Sequence, residues 1–156
     1  MDAWLQLIRP LDTETLLLPT PSRGRSVRNL TVNVFHPFEL LPAAFDEGRF
    51  AWDPDLDEDR EASLRDAGAV LGYATDRSVT WWGWLVEREG ELLLRDPKVS
   101  SLRGEITYRN LLASQRWHAA FHYRQVLAFL EGRGHSVGDA LSLESLNDLD
   151  LPREIF

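Results

Sequence analysis

The chain has 156 residues, enough for one domain with a substantial core, and a single domain over 1–156 is expected. Acidic side chains outnumber basic ones 25 to 17, for a net charge of −8, and the arginines are scattered, so nucleic acid is not expected as a partner. There is no cysteine, which excludes disulfides, a thiolate nucleophile and zinc-finger ligation, and there is no apolar run of membrane-spanning length. The N-terminus lacks a basic segment followed by a long apolar stretch, so a cytoplasmic location is expected.

Residues 2–9 predict a short helix, with Asp2 as N-cap and Trp4, Leu5 and Ile8 on one side, ended or bent by Pro10. Residues 16–25, LLLPTPSRGR, are expected to be a connector. Ser26 is the N-cap of a second helix, in which Val27, Leu30, Val34 and Leu41 form an apolar stripe. Asn33 stands at the edge of that stripe, and His36 lies one turn further along on the same side. Pro37 and Pro42 each remove a helical hydrogen bond, which predicts kinks or a break near His36.

Residues 46–60 form an acidic segment in which seven of fifteen side chains are Asp or Glu. The calcium-loop spacing is absent, so a solvated stretch that favours the next helix N-terminus through Asp57, Glu58 and Asp59 is expected. A third helix is predicted over 57–89, with the seam Leu64, Ala67, Leu71, Ala74, Ser78, Trp81, Leu85. Trp81, Trp82 and Trp84 put bulk on several faces of it, so some must leave the core, and a partner subunit is one reason for that. Residues 90–106 are a long crossover in which Leu92, Leu93 and Leu94 pack under the bundle end. The tail holds one short helix over 141–148, and His135 is expected at the surface.

The last core helix, capped by Thr107 and running to Gly132, carries the chemistry. Its seam is Tyr108, Leu111, Gln115, His118, His122, Gln125, Phe129, with alternating steps of three and four. Both ends of the seam are apolar, while its middle is Gln, His, His, Gln. Burying four polar groups is costly unless something satisfies them. His118 and His122, one turn apart, project from one face and can grip one metal ion. Surface or core-paired histidines would show the same spacing. Gln115 and Gln125 can orient a ligand or hold the imidazoles through second-layer hydrogen bonds.

The phrase SVRNLTVN, a long helix, a Gly/Pro crossover and then LLASQRWHAAFHYRQVLAFLEGRG together resemble the DinB-like superfamily over roughly residues 20–135. That superfamily includes bacterial thiol S-transferases and thiol-dependent maleylpyruvate isomerases. The resemblance implies an all-α, four-helix bundle with a long crossover between the third and last core helices. It also implies a three-histidine metal centre, to which His118 and His122 correspond. The third ligand falls on Asn33, a departure that leaves three readings: Asn33 ligates through its amide oxygen, His36 replaces it, or no metal binds and the residues form a hydrogen-bonded core.

The expectation that follows is a metal-dependent enzyme, a thiol S-transferase or a hydrolase, acting on a small molecule. It would use a divalent Zn, Ni or Fe and, lacking cysteine, a low-molecular-weight thiol as cofactor. The catalytic residues themselves are not assigned. The competing expectation is a non-catalytic, homodimeric binding module with a degenerate metal site.

Overall fold

The computed structural model describes residues 1–53, 57–102, 104–135, 137, 141 and 143–155. Among them are six α-helices: α1 Asp2–Ile8, α2 Thr13–Leu17, α3 Val27–Glu47, α4 Glu58–Ser63, α5 Ala67–Leu94 and α6 Tyr108–Glu131. An antiparallel hairpin, β1 Lys98–Ser101 and β2 Gly104–Thr107, joins α5 to α6, and a 3-10 turn follows at Leu143–Leu146. The chain is mostly helical, as expected, and no helix among the described residues is long and apolar enough to cross a membrane.

Local chemistry explains where most helices start. Ser26 and Asn29 form a reciprocal capping box at the head of α3: the Ser26 hydroxyl accepts from the Asn29 amide and the Asn29 side chain accepts from the Ser26 amide. Thr107 caps α6 by accepting from the Asn110 amide at 3.3 Å. Asp2 is not a cap, because the carbonyl of Met1 already accepts the first helical bond from Leu5 and Asp2 is the first helical residue. The helix α2 lies partly within the expected connector, and Asp12 caps it at 2.8 Å.

Three further differences concern long segments. The helix α3 runs unbroken through Pro37 and Pro42. Each proline costs one helical hydrogen bond, but α3 is buried between α5 and α6, with Pro37 itself buried, and tertiary packing overrides the local penalty. The expected third helix is divided in two. Leu64 leaves helical geometry, and Asp66 restarts the chain by accepting from Ala69 at 2.8 Å. Finally, α5 extends to Leu94, so the crossover is a helix end plus a hairpin. Leu92 packs on the core, but Leu93 and Leu94 are exposed rather than tucked beneath the bundle.

The core has two parts. One gathers Trp4, Leu16, Leu30, Phe35, Val70, Val126 and Leu130. The other gathers Leu41, Phe45, Phe50, Trp81, Val99, Tyr108 and Leu111. Each of the three long helices contributes to both, and two carry a buried polar residue between their contributions: Ser78 on α5 and Gln115 on α6. On α3 the buried polar residue, Asn33, lies within the first contribution, between Leu30 and Val34. On α5, Trp81 is buried and Trp84 half-buried, while Trp82 is exposed between Val79 and Val86.

The hairpin is tied to the end of α3. Gly48 closes α3 in a left-handed conformation, φ 72°, and its carbonyl accepts from the Ser100 amide at 2.8 Å. The Phe50 amide returns a bond to the Ser100 carbonyl, also at 2.8 Å. This short ladder fixes the direction in which residues 49–53 leave the helix, and so where Phe50 and Trp52 stand.

Candidate functional site: the Asn33–His118–His122 pocket

A cavity of about 380 Å³ opens where the two parts of the core meet. Its polar floor is Asn33 from α3 with Gln115, His118 and His122 from α6. Phe50 and Trp52 wall it on one side, and Ile106, Leu111 and Trp117 line it from the hairpin and α6. Arg25, from the residue pair just ahead of α3, also lines it. A volume and a lining of this kind suit a small organic molecule.

The expected seam of α6 faces inward over its whole length. Six of its seven residues are buried and His118 is half-buried at the cavity. The two imidazoles stand edge to face with ring centres 4.7 Å apart, and the Trp52 ring meets His118 at 5.1 Å. Nε2 of His118 lies 3.0 Å from Oδ1 of Asn33, so one of the two residues expected as a third ligand does meet the first histidine.

The proton on His122 can be assigned from its neighbours. The Gln125 amide nitrogen donates to the Ile155 carbonyl at 2.6 Å, which turns the Gln125 oxygen toward His122. That oxygen accepts from Nδ1 of His122 at 2.7 Å and from the Ser22 hydroxyl at 3.2 Å. Nδ1 therefore carries the hydrogen, and Nε2 is the bare lone pair. Burial pushes the His122 pKa down to about 4; the Gln125 bond opposes this, and the nearby Arg25 charge adds to it. At neutral pH His122 is an uncharged imidazole. Gln125 is thus a positioning residue for His122 and not part of the cavity lining.

His36, the candidate replacement ligand, is held elsewhere. Its Nδ1 pairs with Oδ1 of Asp57 at 2.5 Å, and its Nε2 lies 3.4 Å from the Arg60 guanidinium. Asp57 was expected to be solvated; instead its side chain is 1% exposed. Its other oxygen lies 3.5 Å from the Trp52 indole nitrogen, so the His36–Asp57 pair braces a wall of the pocket. Among the described residues, no three of His, Asp and Glu are placed to share a metal ion. The donor set at the floor is two imidazoles and one amide oxygen.

Several lining residues escape a reading of the sequence. Trp52 is a lone aromatic pair with Phe50 inside an acidic stretch, which is a usable signal. Arg25 has none, since it is one of many scattered arginines and only the fold brings it beside His122. Among the described residues no Asp or Glu lines the cavity, although the chain carries net charge −8. Glu61, near enough to feel Arg25, is hydrogen-bonded to the Asn29 side chain instead. His135, expected at the surface, is half-buried and takes no part.

No family model, curated protein or solved structure matches this chain.

Proposed function

We propose that this chain is a DinB-like helical bundle that acts on a small molecule in the Asn33–His118–His122 pocket, as a metal-dependent enzyme of the S-transferase or hydrolase type. The observation that carries this reading is the convergence of Nε2 of His118, Oδ1 of Asn33 and the neutral His122 imidazole at one end of a ligand-sized cavity. Two imidazoles and an amide oxygen fit a borderline divalent ion such as Zn, Ni or Fe and leave positions open. Gln125 holding Nδ1 of His122 is the kind of outer hydrogen bond that metal-ligating histidines keep. When bound, such an ion would lower the pKa of a water or thiol and make it a nucleophile near neutral pH. The chain's own residues orient the ligand and keep water away: Trp52 and Trp117 wall the cavity, and His36–Asp57 braces Trp52.

A second reading, a pocket that binds without catalysing, is favoured by the 3.0 Å contact of His118 with Asn33. With the Asn33 oxygen as acceptor, Nε2 of His118 carries the proton, and a metal would have to displace it.

The test is metal content by elemental mass spectrometry on tag-free protein purified without chelators. The metal-dependent reading expects near one metal per chain, lost in His118→Ala and His122→Ala and retained in His36→Ala. No uptake on reconstitution with Zn, Ni or Fe would discard it in favour of the second reading.

A further inference from the structure

We infer that the ligand of this pocket is a small aromatic acid that also carries a hydrogen-bond donor. This rests on the pocket being a ligand site, and not on whether it holds a metal. Three independent features support it.

The first is charge. Arg25 is the one formally charged residue among the cavity's described lining, and among the described residues no carboxylate forms an ion pair with it. In a chain of net charge −8, a cavity with no acidic side chain among its described lining residues is a local reversal of sign. Its potential favours an anion.

The second is an unsatisfied acceptor. Oε1 of Gln115 is buried in the cavity wall with no hydrogen-bond partner among the described residues, and the residue is only 6% exposed. A buried acceptor left alone is costly, and native structures rarely keep one without a use. A hydroxyl or N–H on a ligand would satisfy it.

The third is shape. Trp52 stands edge-on against His118, and Trp117 stacks on Phe121 with centres 5.4 Å apart, so both indoles are held in place rather than loose. Rigid aromatic walls, with Leu111 and Ile106 adding apolar lining, suit a flat ring. The ring would sit between the indoles, its acid at Arg25 and its donor at Gln115.

The experiment uses the full chain treated with chelator, so that its result is independent of metal. Binding of 4-hydroxyphenylacetate, its neutral amide and the corresponding amine, 4-hydroxyphenethylamine, is followed by ligand-observed NMR and by tryptophan fluorescence. The acid should bind, the amide about tenfold more weakly, and the amine not measurably, since a charge-assisted bond is worth roughly one to two factors of ten. Arg25→Gln should erase the preference for acid over amide. Gln115→Leu should weaken the acid about tenfold while leaving phenylacetate, which lacks the hydroxyl, unchanged. Equal binding of acid and amide by the wild type would overturn the inference and leave the pocket reading intact. Failure of all three probes to bind would overturn both.

Discussion

Protonating His122 should cost the fold much of its stability in mildly acidic solution. The imidazole is 6% exposed, and burial drives its pKa to about 4 in the folded chain against about 6.5 when unfolded. Between those values the unfolded chain binds a proton that the folded chain refuses. Stability therefore rises with pH across the interval and falls as the solution is acidified. At about 1.4 kcal/mol per pH unit, acidification from pH 7 to 4 removes roughly 3 kcal/mol through this residue alone. Urea unfolding of chelator-treated protein at several pH values from 7 to 4 measures the loss. His122→Gln, which keeps a polar side chain without a titrating group, should show a shallower decline by about that amount. Parallel curves for the two proteins would refute the reasoning, as would an NMR titration placing the His122 pKa at 6 or above.

Other substitutions test the architecture. His36→Ala strands the buried Asp57 carboxylate and should destabilise by roughly 3 kcal/mol or more; Asp57→Asn should cost much less, and the His36→Ala/Asp57→Ala pair should recover part of the loss in thermal or urea unfolding. Gln125→Leu and Gln115→Leu make the same chemical change ten positions apart on α6 with different results. The first orphans His122, Ser22 and the Ile155 carbonyl and should cost roughly 3 kcal/mol, whereas the second removes an oxygen that has no partner among the described residues and should be neutral or slightly stabilising. Gly48→Ala puts a side chain on a left-handed residue, with its Cβ 3.2 Å from the Lys98 carbonyl, and should cost about 1–2 kcal/mol by the same measurement.

Periodicity and capping alone determined a good deal about this protein. The three long amphipathic segments, the Ser26 and Thr107 caps, the buried seam of α6 and the placement of Gln115, His118 and His122 along it all follow from side-chain spacing on a 3.6-residue helix, a short-range property of the chain. That Asn33 would stand with His118 came from the family resemblance rather than from spacing, as one of three readings, and the two side chains meet at 3.0 Å. Other features depended on contacts far apart in the chain, and tertiary structure decided them. Pro37 and Pro42 predict a break by their local cost, but burial between α5 and α6 keeps α3 whole. His36 was free by spacing to reach the site, but it lies opposite Asp57, twenty-one residues away, and that buried carboxylate holds it. The same holds for Arg25, which no pattern marks and which enters the cavity because the turn before α3 packs beside α6. Spacing along a helix says which residues share a face. The packing of that face against distant segments decides which atoms meet there, and at this site those atoms set the charge of the pocket.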